Sequence, residues 1–336
     1  MTAKPDNGSE NGARSGALTL TLLAAPLNVL ILQALSSGPK QQGELRQTAG
    51  SPAQTTLRAQ LRRLSEVGAI ERHRRNRFPG VLEHELTKAG QELLTVIEVL
   101  EHWLQRAPMT PVPLGGNAAK ASIRALAEGW STTMLRALAA SPLSLTELDS
   151  VIGSLSYPSL ERRIRAMRLA GQVEARQSNG RGTPYGVTNW LRAGVAPLLA
   201  AAHWEQCHLP GVAPPLTGID AEATFLLVIP LLRPGSDISG TCRLSVETSS
   251  GSLAGVTVGL ISGRIASCAT RLRGHSDAWI SGPTAAWLSA LTGSPHGDLE
   301  LGGNHTLARL LLQGLQAELF RNDLDVKTPI SDDGSN

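Results

Sequence analysis

The chain has 336 residues and a net charge of +3, with a pI near 9.0. That length accommodates two or three domains, and the basic balance is compatible with a nucleic-acid partner. Hydrophobic residues make up 41% but aromatics only 3%, so the cores must be built mainly from Leu, Ala, Val and Ile. Cys207, Cys242 and Cys268 are few, odd in number and widely spaced. They argue against a disulfide framework and for a reducing, cytoplasmic setting.

Residues 1–17, rich in Gly, Ser, Asn and charge, read as a disordered leader. Residues 18–35 carry no charge and raise the possibility of a signal peptide or membrane span. Pro26, Asn28, Gln33 and Ser36 interrupt the run, and Arg14 is the only nearby upstream charge, which favours a buried helix over 18–36 and no membrane. A short helix over 40–48 follows. Residues 51–67 then read as an amphipathic helix. Ser51 is the expected N-cap, with Pro52 at the first helical position. Leu57, Leu61 and Leu64 share one face, and Gly68 stops the helix. Gln54, Thr55, Arg58 and Arg62 fall off the apolar face, where short polar and cationic groups can meet a polyanion. A hairpin is expected over 69–86, its loop holding Arg72, Arg74, Arg75 and Arg77. Arginine in such a loop can lie along phosphates, gaining from counterion release and bidentate bonding. A long helix over 87–105 completes the unit.

The chain then repeats itself. LQALSSGPKQQGEL (32–45) aligns with LRALAASPLSLTEL (135–148). The same offset pairs Leu57 with Leu160, Leu61 with Ile164, Leu64 with Met167, Arg62 with Arg165 and Gly68 with Gly171. At a slightly different offset, ELT (85–87) meets GVT (186–188) and His102-Trp103 meets His203-Trp204. Two copies of one domain are implied, the second reading helix 123–140, helix 144–152, helix 156–170, hairpin 172–187 and long helix 188–207. Its candidate DNA contacts are Ser156, Tyr157, Ser159, Arg162, Arg165 and, in the hairpin turn, Arg181. The copies are unequal. Glu161 replaces Arg58, and Tyr157 and Pro158 replace Gln54 and Thr55, so the second copy should bind DNA more weakly.

Both copies resemble the HxlR family of bacterial winged-helix transcription regulators, relatives of the MarR group. The resemblance is carried by GPKQQGELRQTAGSPAQTTLRAQLRRLSEVGAIERH and VLEHELTKAGQELL in the first copy. In the second it is carried by EGWSTTMLRALAASPLSLTELDSVIGSLSYPSLERRIRAMRLAGQVEAR. The first copy has Pro26-Leu27 where the family's Gly-Trp stands. The resemblance implies that residues 51–68 are a recognition helix, that the arginine-rich hairpin is a wing, and that two subunits dimerise through first and last helices. Two copies in one chain then suggest an intramolecular pseudo-dimer, monomeric with an internal two-fold or further assembled as a homodimer. Its operator half-sites would lie about one helical turn apart.

Residues 107–119 and 209–218, rich in Pro and Gly, read as linkers, bounding winged helices at 18–106 and 120–208. In the third region, 219–322, strands are expected over 224–232, 240–248, 254–261, 264–271, 277–281 and 297–303. Helices are expected over 283–293 and 304–320, with Asn304 as N-cap of the second. Residues 323–336 read as a disordered tail. The run DAWISGPTAAWLSALTG…LELGGNHTLARLLLQGL resembles the sterol-carrier-protein type two fold. That resemblance implies a small apolar ligand held between a sheet and its helices. Phe225, Leu227, Ile229, Val258, Leu260, Trp279, Trp287, Leu288, Leu291, Leu311 and Leu312 are the candidate lining. The expected architecture is multidomain, with two α-rich winged helices followed by one α+β sterol-carrier-like domain.

Enzyme readings find no support. No Ser-His-Asp order, Walker loop or dinucleotide fingerprint occurs, and no cofactor is expected. His203 and Cys207, one turn apart with His208 adjacent, make at most half a zinc site. Two functions remain in view. One is a regulator that binds operator DNA and senses an apolar ligand. The other is a carrier of lipid or hydrophobic metabolites whose winged helices serve protein assembly.

Overall fold

The computed structural model describes residues 15–74, 82–129, 132–153, 155–177, 182–235, 237–248, 251–272, 274–292 and 298–320. The uncharged N-terminal run is two helices, α1 (Ala17–Leu23) and α2 (Pro26–Leu35), meeting at 84°. Pro26 has no N–H to donate and begins the second helix, while Asn28 Nδ2 donates to Leu22 O at 2.8 Å across the bend. The expected single helix over 18–36 is thus broken. Apolar residues on all sides hid the break, because both helices are buried: Leu20, Leu23, Ile31, Leu32 and Leu35 are at most 2% exposed. Among the described residues no single helix is long and apolar enough to cross a membrane. The expected leader also ends sooner than 17. Gly16 and Thr19 donate their backbone N–H groups to the buried Glu205 carboxylate at 2.7 and 2.8 Å, which fastens the start of α1.

The first unit continues through β1 (Lys40–Gln41), α3 (Gln42–Thr48), α4 (Gln54–Glu66), β2 (Ile70–Arg74), β3 (Leu82–Leu86) and α5 (Lys88–Gln105). The α4 helix starts later than expected. Gly50 turns the chain at φ 80°, Ser51 follows at φ 54°, and Ala53, not Ser51, occupies the N-cap position. Its apolar face is as expected, with Leu57, Leu61 and Leu64 buried, and Gly68 leaves the helix at φ 70°. Gly90 lets α5 approach the hairpin closely, since a Cβ there would lie 2.0 Å from Ala69 O.

Residues 117–208 form α6 (Asn117–Gly129), α7 (Thr132–Ala140), α8 (Leu145–Val151), α9 (Tyr157–Leu169), β4 (Val173–Ala175), β5 (Tyr185–Val187), α10 (Asn189–Ala193) and α11 (Val195–His208). From α7 onward the element order follows that of the first unit. Three boundaries differ from expectation. The α6 helix begins inside the Pro/Gly-rich stretch assigned as a linker over 107–119. The helix expected over 123–140 is divided into α6 and α7. The one expected over 188–207 is divided at Gly194, where a side chain would meet Leu191 O at 2.9 Å and the Trp103 indole nitrogen at 3.3 Å.

The two units meet through α5 and α11 and through α1, which lies on α6 and α11. Trp103 stacks on Trp190 with ring centroids 4.6 Å apart. Trp103 Nε1 donates to Trp190 O at 2.9 Å, and Trp190 Nε1 donates back to Trp103 O at 2.8 Å. Trp204 Nε1 donates to Ala89 O at 2.8 Å. Buried indole N–H groups need such acceptors.

The third region opens with α12 (Gly218–Val228) and one 3-10 turn (Ile229–Leu231), where a strand was expected over 224–232. Thr217 and Asp220 form a capping box that starts this helix. Residues 223–229 are all buried, so no polar stripe betrays the helical period. A five-stranded sheet follows, with strands β6 (Gly240–Glu247), β7 (Leu253–Ile261), β8 (Arg264–Ala269), β9 (Ala278–Pro283) and β10 (Glu300–Gly303) in the order β10-β9-β6-β7-β8. Only β6 and β9 pair in parallel. Cys242, Leu244, Val246, Val256, Val258, Leu260 and Ile280 form its buried face, against α12, α13 (Thr284–Leu291) and α14 (His305–Phe320). Asn304 Oδ1 accepts from Leu307 N at 3.1 Å, which is the expected cap. The α12 helix also packs on α7. Its last carbonyls, Leu226 O and Leu227 O, accept from Arg192 at 2.9 and 3.0 Å, and its Glu222 pairs with Arg136 at 2.6 Å.

Substitutions at the α5–α11 contact should act in proportion to what they remove. Trp103→Ala empties a buried, stacked site and should cost about 3–5 kcal/mol in denaturant unfolding, whereas Trp204→Phe, which removes one hydrogen bond to Ala89 O, should cost about 0.5–1.5 kcal/mol. Gly90→Ala forces α5 off the hairpin and should cost about 1–3 kcal/mol in the same assay.

Candidate nucleic-acid interface

Gln54, Thr55, Arg58 and Arg62 lie off the face of α4 that buries Leu57, Leu61 and Leu64, and all are exposed. Arg62 shares its charge with Glu66 one turn on, Nε to Oε1 2.7 Å. At this exposure the pair contributes little to stability, so a phosphate can displace it. Arg58 has no ion-pair partner among the described residues. Ser51 is exposed in the turn before the helix.

The hairpin beside α4 is sorted by charge, and the pleat does the sorting. Successive residues point to opposite faces. Ile70, Arg72 and Arg74 therefore share one face with Leu82, His84 and Leu86, while Glu71 and His73 share the other with Glu83 and Glu85. On the acidic face His73 Nε2 lies 2.8 Å from Glu85 Oε1 and 3.1 Å from Glu71 Oε1. Hydrogen bonding to Glu71, aided by both carboxylates, raises the His73 pKa, and the donor atoms of the three lie within 4.8 Å of one another. The basic face turns toward α4. There a half-open cleft of about 520 Å³ is lined by Arg58, Leu61, Arg62, Ser65, Arg72 and His84. Arg75 and Arg77 lie outside the described residues.

In the second unit Ser156 stands at the N-cap position of α9 and bonds Ser159 Oγ at 3.1 Å. Tyr157, Glu161, Arg162 and Arg165 are exposed, and Ser159 is half-buried. Arg181 lies outside the described residues. Where the first hairpin carries Arg72, the second has Ala175, and its neighbouring Arg176 is paired with Glu174 at 2.7 Å. The two units thus place their charge differently: α9 carries Arg162, Arg163, Arg165 and Arg168 against Glu161, while the first unit adds Arg72 and Arg74 on its hairpin to Arg58, Arg62 and Arg63 of α4. Sequence reasoning missed His84, Lys40 and Gln42. The alternation in VLEHEL marks His84 as an inward position, but its neighbours are set by strand pairing.

The candidate apolar site is a filled core. Phe225 meets Trp287 edge-on, centroids 5.0 Å apart, and Trp287 Nε1 donates to Ser245 O at 2.9 Å. Leu227, Ile229, Val258, Leu260, Leu288, Leu291, Leu311 and Leu312 are all buried. The cavity among Phe225, Trp287, Leu288 and Leu291 is about 30 Å³, against roughly 300–1,000 Å³ for ligand pockets. Trp279 does not line it. The pleat sends Trp279 to the opposite face of the sheet from Ile280, where its indole lies over Gly302. Of the possible metal ligands, His203 Nε2 lies 3.8 Å from Cys207 Sγ, while His208 turns away to Glu92 at 2.6 Å. Burial raises the Cys207 pKa and pushes Cys242 and Cys268 up to about 12, which keeps all three as thiols.

Comparison with known proteins places the α4 unit. A profile described as HxlR-like helix-turn-helix matches residues 22–110. An uncharacterized HTH-type transcriptional regulator of Mycobacterium bovis is 36% identical over 84 residues, covering 25% of this chain and 52% of that protein. The chain therefore spans about half the length of this relative. The HTH-type regulator YtcD of Bacillus subtilis is 32% identical over 85 residues, covering 25% of this chain and 68% of YtcD. The reduced form of the transcriptional regulator YodB from B. subtilis is similar at 27% identity and a TM-score of 0.26, covering 26% of this chain and 87% of that one. Through the segment that carries the cationic helix and its hairpin, this chain belongs to the HxlR-like helix-turn-helix family.

Proposed function

We propose that the protein is a DNA-binding transcriptional regulator in which two winged-helix units of one chain act as an intramolecular pseudo-dimer, the first unit carrying the more arginine-rich hairpin. One observation supports this above the rest. Trp103 and Trp204 are counterparts in the repeat, and so are Ala89 and Trp190. Trp103 donates to the carbonyl of Trp190, and Trp204 donates to the carbonyl of Ala89. Each unit's last helix thus hydrogen-bonds the start of the other's, the reciprocity expected of a two-fold contact. Local details agree. Thr87 and Thr188 each cap the following helix and donate to Gly68 O and Gly171 O, respectively.

The two reading helices, α4 and α9, would each meet a major groove, with half-sites about one helical turn apart. The halves would read different sequences, because Gln54, Thr55 and Arg58 face Tyr157, Pro158 and Glu161 across the repeat. The third region is the sterol-carrier-like candidate sensor. Its α12 lies directly on α7, so an apolar ligand that parted α12 from α13 would shift the second unit. With a cavity of about 30 Å³, such a ligand requires that movement.

Fluorescence anisotropy of the full chain with duplexes from its own upstream region tests the reading. Arg58→Glu should weaken binding more than tenfold, whereas Glu161→Arg should leave it unchanged or tighten it. Arg72→Ala should reduce the slope of log affinity against log salt by about 1. Equal losses from the matched changes would refute the asymmetry, and the absence of binding to every fragment at low salt would refute the regulator.

A further inference from the structure

The cleft beside α4 is more than a share of the positive surface. His84 occupies the central strand of the sheet β1-β3-β2, paired on one side with Lys40 and on the other with Arg72. Two cations therefore flank one imidazole in a single row, and Arg58 and Arg62 face it from α4. No carboxylate lines the cleft among the described residues. Arg62 already has Glu66 at 2.7 Å, but the remaining like charges repel one another unless an anion joins them.

The wall also holds polar atoms without partners. His84 is 5% exposed, and its Nδ1 makes no hydrogen bond. Gln42 Nε2, in the same wall, is buried and makes none either. Burial, with Arg72 as the lesser cause, lowers the His84 pKa, so the ring enters the cleft as a neutral group able to donate one N–H. Unpaired buried polar groups are costly, and an oxyanion in the cleft is a partner that this wall lacks.

The second unit supplies the control. Its equivalent row is Leu143–Tyr185–Ala175, held by the same pairing across the central strand, and Glu161 stands in place of Arg58. The row thus forms without any charge when only scaffolding is needed. The cations and the buried imidazole of the first unit serve something they bind.

The geometry points to this cleft as an oxyanion site, peculiar to the first unit, that seats one phosphate-class anion against Arg58, Arg72 and His84. It deepens the regulator reading, since it rests on the same surface, and the anion has two sources. One is a phosphodiester of bound duplex. The other is a free phosphorylated small molecule, which in the same seat would compete with the duplex and so control it.

The test uses the full chain, with inorganic phosphate and pyrophosphate as probes. Calorimetry should give one site per chain, and the His84 ring resonances should shift saturably in nitrogen–proton spectra. Arg72→Ala and His84→Phe should each weaken the site at least tenfold, whereas Arg165→Ala in the second unit should not. The source is read by anisotropy at matched ionic strength. A free-anion site predicts that pyrophosphate displaces duplex better than chloride and that Arg72→Ala abolishes the difference. A duplex-phosphate site predicts no such difference and a tenfold loss of duplex affinity in His84→Phe. An unmoved His84 resonance, with phosphate and duplex affinities unchanged in His84→Phe, would overturn the proposal while leaving the regulator intact. Loss of all duplex binding with phosphate binding preserved would do the reverse.

Discussion

Two indole N–H groups buried between helices set the arrangement of the first two units. Trp103 and Trp204 lie 2% and 3% exposed on the last helices of their units. Each must find an acceptor, and each shares a carbonyl in the first turn of a helix in the other unit, Trp190 O accepting from Gly194 N as well. A helix end can bond a foreign donor only when it lies within about 3 Å. The separation of α5 and α11 is therefore fixed at the resolution of a hydrogen bond. Gly194 is part of the same constraint, because a side chain there would crowd Leu191 O at 2.9 Å and the Trp103 indole at 3.3 Å. The α4 and α9 helices inherit their relative placement from this contact.

Charge is distributed unequally between the two units. The first hairpin carries cations on the face toward α4 and carboxylates on the face away from it. The second carries an internally paired Arg176 and an alanine where the first has Arg72. Coulomb energy in a partly shielded cleft is several times larger than in open water, so under the proposed reading a few substitutions suffice to make the two halves bind unequally. The hairpin's polarity adds a preference in orientation. A polyanion approaching the side of Glu71, Glu83 and Glu85 is repelled, and one approaching Arg72 is attracted, which steers encounter toward α4.

Legibility from the sequence followed amphipathicity. The α4 helix was plain because Leu57, Leu61 and Leu64 are its only buried positions, and the strands from β6 to β10 were plain because one sheet face is apolar. Where every side is buried the period disappears. That is why α1 and α2 read as one helix and α12 read as a strand, although Thr217 and Asp220 announced a helix start. Ser51-Pro52 imitated an N-cap, but a left-handed turn at Gly50 and Ser51 spends those residues before the helix begins. Trp279 was misplaced by one step of the pleat. The cleft around His84 was out of reach, because Lys40, Arg58 and Arg72 come together only through the pairing of three strands and the docking of a helix.

The short connection that carries the chain from α5 to α6 has a consequence for dose. Two separate winged-helix subunits must first find each other, so the concentration of their active form falls with the square of the protein level. Under the proposed reading, residues 107–116 replace that encounter with a tether, and the partner's effective concentration no longer depends on expression. Occupancy of the operator then rises in simple proportion to the number of chains. A cell holding only a handful of copies would keep the same fraction of them competent to bind as a cell holding thousands.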